Sequence, residues 1–423
     1  MRSAAQQLLF YAKRTIRVFA SAFVFASAFC CHASAQAFLN PIRDPIPGFA
    51  PPGVYIDNFL VSSAVSIGLA YDSNIHESHS HPVQDYIFFV SALEGIAHQD
   101  GRSTQEFVVS ATNATFFKSD NDDYTDVYVS AKESFLITPT TLVFAGASFS
   151  DGYQRRVSIN FDIPSNAASP VPELILLGYA GLKKIGPNFE AGATVTYSQE
   201  QFSDVYSITH TLLDQQFRNE QDLLLDSYFN IQIYARVRSS LVFQAADIQY
   251  KFQVRNFDQW RLADTIVLDV TPQTSFGVLV GVREQYLYNN PAIQLGLLME
   301  YEAQLEWHPN PLLIVRAVVG YHDLGIDYVT GIYAGGFAPH YGFDARYSIW
   351  NNLQLGAGVD FERRYLTGGV DVEDVTSYKA IINYELSSYA GLSFLFNNLE
   401  WNSRLPNNSF NETIFQSSLN LRF

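Results

Sequence analysis

The chain has 423 residues, 48% of them hydrophobic, yet its mean hydropathy is zero and its formal charge is −16. No window approaches the roughly 18 unbroken apolar residues of a membrane-spanning helix, and 42 acidic against 26 basic residues exclude a phosphate-neutralising nucleic-acid binder. Aromatic residues reach 15%, with 33 Phe and 25 Tyr, a balance common to large secreted β-sandwiches or propellers and to outer-membrane barrels with aromatic girdles.

The N-terminus reads as an export signal. Arg2, Lys13, Arg14 and Arg17 form a basic leader, Val18 to Cys30 an apolar run, and Ala33-Ser34-Ala35 a small-residue cleavage site, so residues 1–35 are expected to be removed. Phe29 ahead of Cys30 is too large for a lipoprotein cleavage site, and no lipid anchor is expected. Cys30 and Cys31, the two cysteines, lie in this segment, which leaves a mature chain without disulfides. Cleavage also removes four basic residues and no acidic one, moving the formal charge from −16 to −20. Residues 36–60 follow as a periplasmic lead-in. Pro41, Pro45, Pro47, Pro51 and Pro52 exclude a regular strand or helix there, and a plug in a barrel lumen is the alternative role.

From Ser63 onward, segments of about 10–14 residues alternate apolar with polar or small side chains, the period of a strand with two unlike faces. Eighteen are expected: 63–71, 86–97, 105–117, 124–137, 142–153, 173–184, 189–202, 220–236, 241–254, 261–270, 275–288, 293–307, 312–323, 339–350, 353–366, 374–386, 389–400 and 411–423. Short turns such as Ile185-Gly-Pro-Asn188 and Asn351-Asn352 alternate with longer connections such as Asp72–Asp85, Lys118–Asp123, Gln154–Pro172 and Ser203–Asn219. That rhythm is the signature of a transmembrane barrel. The expected fold is all-β: an antiparallel up-and-down barrel of about 18 strands over residues 61–423, in the bacterial outer membrane with both mature termini periplasmic.

The alternation assigns faces. On 293–307, Leu295, Leu297, Met299, Tyr301, Leu305 and Trp307 point to lipid, while Glu300, Glu302 and Glu306 point inward. On 353–366, Leu355, Val359 and Phe361 face out against Gln354, Asp360, Glu362 and Arg364. No charge falls mid-strand on these outward sets, where it costs about 2–4 kcal/mol. Trp307, Trp350 and Trp401 fall at strand ends. In the last segment Phe415, Leu419, Leu421 and Phe423 share one face, and this strand is expected to close the barrel on Ser63–Tyr71. Phe423 is expected to serve as the assembly signal read by the barrel-assembly machinery, the second partner after outer-membrane lipid.

The first strand also carries a resemblance. Ser66-Ile-Gly-Leu-Ala-Tyr-Asp-Ser-Asn-Ile75 resembles the Gly-rich opening strand and Tyr-Asp-Ser-Asn-Ile corner of the "putative β-barrel porin" family of exopolysaccharide operons. The resemblance implies an outer-membrane porin, a role in exporting or retaining polysaccharide, and polysaccharide-export components as partners. It implies no catalytic residue.

Candidate chemistry is sparse outside the lumen. His76, His79 and His81, beside Glu77, cluster in the first long connection, but their spacing matches no defined metal site. His210 with Asp204 and Asp214, or His322 with Asp323 and Asp327, lacks the glycine elbow of a serine hydrolase, so no enzyme, cofactor or metal is expected. Arg283, Glu300, Glu302, Glu306, Arg316, Asp344, Arg346, Asp360, Glu362 and Arg364 are expected to line the lumen. They either set a transverse field that filters ions or pair with one another to stiffen the wall. Tyr228, Tyr234 and Tyr365 would add stacking surfaces for sugars. Three roles fit: passage of a solute or polymer, with exopolysaccharide export implied by the resemblance; a general or specific small-solute porin; and a loop-plugged structural or surface-binding barrel.

Overall fold

The computed structural model describes residues 45–46, 48–49, 51, 53–156, 167–253, 256–287, 294–323, 327–329, 332–334, 336–366, 372–404 and 409–423. The expected signal peptide, 1–35, and the start of the lead-in lie outside the described residues.

Among those residues the main sheet contains eighteen long strands and the short Val54–Ile56. The long strands begin with β1 (Phe59–Asp72), β2 (Asp85–Gln99), β3 (Ser103–Phe116), β4 (Tyr124–Thr138), β5 (Thr141–Gln154) and β6 (Val171–Ile185). They continue with β7 (Phe189–Phe202), β8 (Glu220–Tyr234), β9 (Val237–Tyr250), β10 (Phe257–Thr271), β11 (Thr274–Leu287) and β12 (Gln294–Asn310). The last six are β13 (Leu313–Asp323), β14 (Gly336–Trp350), β15 (Leu353–Leu366), β16 (Val372–Ser387), β17 (Ala390–Ser403) and β18 (Phe410–Arg422). All eighteen expected segments appear.

Each strand pairs antiparallel with the next, and β1 pairs with β18 from Ala64↔Arg422 to Asp72↔Ile414. Ser63 and Phe423 exchange backbone hydrogen bonds of 3.1 and 2.8 Å at the end of that seam. Closure leaves no open edge, the condition for a sheet in hydrocarbon. Gly68 permits the close approach here: a Cβ on it would stand 2.3 Å from the Ser417 backbone oxygen and 2.3 Å from the Phe89 ring.

Only part of the apolar surface is buried inside, where Ile87, Phe89, Ala114 and Phe116 share the inward face of β2 and β3. Other apolar side chains ring the outside, where Leu297, Met299, Tyr301, Leu305 and Trp307 on β12 are each 42–59% exposed. Lipid is the solvent for that face. Carboxylates also occur on this face, Glu94 and Glu133 among them; Asp264, midway along β10, shares the face of Leu262 and Ile266 and accepts a 2.8 Å hydrogen bond from Ser239 Oγ.

Two differences from expectation have local causes. β1 starts at Phe59, because after Pro52 the chain forms a hairpin, Val54–Ile56 on Phe59–Val61, turning through Asp57 at φ 56°. The proline argument therefore stops at Pro52. Six short-turn hairpins carry a β-bulge at the base of the turn, for example between Gln232 and Tyr234. Each shifts the register by an extra residue, so strict alternation fails there.

Candidate functional site in the barrel lumen

Two stretches of the lumen wall are unlike. The charged wall spans β8 to β16 and contains the ten side chains singled out from sequence. Glu300 accepts from Arg261 Nε at 2.5 Å; Arg261 Nη1 in turn donates to Gln244 at 3.1 Å, and Gln244 Nε2 donates to Asp226 at 3.0 Å. This is a ladder across β8, β9, β10 and β12. Arg283 stands opposite Arg261 in the register, beside the same ladder. Glu302 lies 3.3 Å from His340, and Glu306 binds Arg316 at 2.7 Å and His308 at 2.6 Å. Arg316 stands opposite Asp344, and Arg346 opposite Gly356. Glu362 pairs with Arg364, and Asp360 with Lys379 at 3.4 Å. Pairing is thus the rule on this wall.

The other wall, β4 to β8, is aromatic, and sequence reasoning missed all of it except Tyr228. Tyr128, Phe144, Tyr179 and Tyr228 face the lumen, on the opposite face from Val129, Phe149, Leu176 and Phe229. Glycines stand directly opposite three of them: Gly181 opposite Phe144, Gly146 opposite Tyr179, and Gly192 opposite Tyr228. A Cβ on any of these glycines would lie 2.5–2.6 Å from the ring. The missing Cβ is what lets each ring lie flat on the sheet. Phe144 and Tyr179 approach to 6.3 Å between centroids. Polar groups flank the rings: Lys183 pairs with Glu190 at 2.8 Å, and Tyr228 OH donates to the same carboxylate at 3.0 Å.

The remaining aromatic expectations need correction. Tyr365 shares the outward face of Phe361, with no register shift between them. Tyr234 lies beyond the β8 bulge and is 72% exposed at the short-turn rim. Trp401, at a strand end like Trp307 and Trp350, turns inward instead: it stacks on Phe410, and Arg364 sits 4.6 Å from its ring centre.

The long-loop end is tied together by arginines. Arg155, just past β5, is buried and donates to Asp72 Oδ2 at 2.7 Å and the Ile75 carbonyl at 3.0 Å, with Glu412 Oε1 at 3.5 Å. β5 lies five strand positions from β18, roughly 24 Å of wall at about 4.8 Å per strand. The chain leaving β5 therefore turns into the lumen. Glu77, also in this cluster, is pushed up to about 7 by burial and Asp72, against the opposing pull of Arg155. Arg156 binds both oxygens of Asp122, which also meets His76 at 3.1 Å. Burial disfavours the Asp122 charge, but hydrogen bonds from His76 and Arg156 outweigh it and hold that carboxyl below its usual range.

The connections 155–170 and 203–219 meet through the Ala168 N–H and the Tyr206 carbonyl at 2.7 Å. Arg218 donates to Gln154 and lies 3.8 Å above the Phe202 ring.

The loop histidines do not converge. His79 bonds to the Ser409 carbonyl at 2.6 Å while His76 serves Asp122. Asp204 accepts from the Gln215 N–H at 2.9 Å, and His210 occupies a turn at φ 61°. The side chains of His322, Asp323 and Asp327 lie outside the described residues. At the short-turn end the Ile46 N–H donates to Glu385 Oε1 at 3.1 Å, and Arg422 holds the other oxygen at 2.7 Å. The lead-in thus touches the inner wall at one described point.

A family model described as "Putative beta-barrel porin 2" matches residues 46–423. The chain belongs to that family. No curated protein matches it. Among solved structures it is similar to a variant of the ferric enterobactin receptor of Pseudomonas aeruginosa (TM-score 0.52, 8% identity, 86% of this chain and 80% of that one). It is likewise similar to OccAB2 of Acinetobacter baumannii (0.51, 14%, 88% and 100%) and OpdQ of P. aeruginosa (0.51, 9%, 87% and 99%). At such identities the likeness is one of fold. Family membership and a closed barrel make this chain a porin-like channel of the outer membrane.

Proposed function

We propose that this porin-family barrel is a passive, non-enzymatic channel for hydrophilic solutes, with its long loops at the cell surface and its N- and C-terminal strands starting and ending on the periplasmic side. The observation that carries the reading is the lumen wall. Its inward face is a run of charged and hydroxylated side chains from β8 to β16, while the outward face is apolar. Short turns on one rim and long connections on the other support the orientation. Export of a polysaccharide remains a narrower form of the same reading, supported by the first-strand resemblance. Refolded protein in a planar bilayer should give stepwise ion conductance. Silence at every voltage, with the barrel verified as folded, would refute the channel. Loss of secreted polysaccharide on gene deletion distinguishes export from general permeation.

A further inference from the structure

We infer that the β4–β8 wall is a stacking track for chains of pyranose sugars, a substrate class within the channel reading on which this inference rests. Three observations carry it. First, the rings are presented, not packed away: Tyr128 is 40% exposed, and Phe144, Tyr179 and Tyr228 are each partly exposed. Each of the last three has a glycine beneath it, so one ring face rests on the sheet and the other is free to meet a solute.

Second, the register sets the rings on a diagonal. Tyr128 stands opposite Ser150, and Tyr179 opposite Gly146, four residues further along β5 toward the short-turn end. Phe144 itself is two residues beyond Gly146. Tyr228 stands opposite Gly192, which faces Lys183, the register partner of Leu142. From the level of Ser150 to that of Leu142 the track therefore descends roughly 26 Å along the strand direction at about 3.3 Å per residue.

Third, hydrogen-bonding groups run beside the rings: the Lys183–Glu190 pair, the Tyr228 hydroxyl, and Lys132 with Glu106 at 4.0 Å. A pyranose has an apolar C–H face and a rim of hydroxyls. It matches a flat ring with carboxylate, ammonium and hydroxyl groups at its edge. An apolar ligand would make no use of these polar groups, and a small ion would make no use of the rings.

The test is a bilayer recording of the intact refolded barrel. Open-channel current is measured first, then a linear α-1,4-linked glucose hexamer is added, with polyethylene glycol of similar hydrodynamic size as the control. The sugar should interrupt the current saturably, and the polymer control should not. Tyr179→Leu and Tyr228→Leu should each weaken the block about two- to tenfold, the scale of one lost aromatic contact. Tyr179→Phe should retain it. Gly146→Val, which deletes no ring but pushes Tyr179 off the wall, should weaken it as Tyr179→Leu does. Equal block by sugar and polymer, or an unchanged sugar block in the Tyr179→Leu, Tyr228→Leu double variant, overturns the track while the channel stands. Absence of any open-channel current removes the channel reading itself.

Discussion

Arg155 offers the sharpest perturbation. Its side chain is 10% exposed, Asp72 is 1% exposed and Glu412 is fully buried, so Arg155→Met leaves carboxylates in a dry site without their cation. Glu412 Oε2 has no hydrogen-bond partner among the described residues. Removing one member of such a buried pair costs about 3–5 kcal/mol. The loss is local, because the strand ladders do not depend on Arg155. It falls on the corner from Asp72 to Ser78, where the Asn74 N–H donates to Asp72 Oδ1 at 2.8 Å and the Ser78 N–H to Asn74 Oδ1 at 2.9 Å. Hydrogen exchange at the Asn74, Glu77 and Ser78 amides should accelerate roughly 10²- to 10⁴-fold, while Leu262 and Val280 in mid-strand stay protected. Adding Glu412→Gln should recover part of the protection, since it removes one uncompensated charge. If the corner exchanges at the wild-type rate in Arg155→Met, Arg155 does not hold the loops.

Four further outcomes follow from other groups. Glu77 has a folded-state value near 7, above its ordinary 4.5, so its contribution to the corner is complete below about pH 4.5 and lost as pH rises through 7; the difference is worth roughly 3 kcal/mol. Glu77→Gln should flatten the pH dependence of amide protection over that window, and an unchanged slope would exonerate Glu77. Glu300→Gln with Glu302→Gln removes partners of Arg261 and His340 and should move the reversal potential toward anions at 0.1 M salt, where the Debye length is about 10 Å, but not at 1 M, where it is about 3 Å. Gly68→Val drives a Cβ into the Ser417 carbonyl and should abolish the heat-modifiable electrophoretic mobility of a closed barrel; normal mobility would show that the seam tolerates widening. Asp264→Leu should raise the unfolding free energy from urea titration in lipid vesicles by up to about 2 kcal/mol, since it removes a charge from the lipid face; a lower value would mean that protein covers Asp264.

The barrel was legible in sequence because lipid enforces a strict rule: outward side chains must be apolar, and the period of a strand is two. The strands and the closing β1–β18 pair follow from that rule. Reading fails where the rule is suspended. Tyr234 lies past a bulge, which alternation cannot see. Trp401 sits at a strand end, where an aromatic residue suits either face. The aromatic wall was invisible for a different reason. Tyr179 beside lipid and Tyr179 beside the lumen read alike, and what marks it is Gly146 on the neighbouring strand, a pairing that only the register reveals. Arg155 and Arg156 were hidden because a loop has no period; two adjacent arginines in an acidic chain were the only signal.

The two walls make different demands on a solute. On the charged side Arg261, Arg316 and Arg364 already have carboxylate partners, so a passing ion meets fixed dipoles that bias its path without a bare charge to bind it. On the aromatic side each ring offers only about 0.5–1.5 kcal/mol. A single strong site would hold the solute and stop the flow, whereas a run of weak ones lets each contact be exchanged for the next. The diagonal of Tyr128, Tyr179, Phe144 and Tyr228 has that property, because the rings stand at successive levels of one wall. Moving the rings off the wall, as Gly146→Val does to Tyr179, should therefore break the sequence of contacts more than it lowers the total attraction.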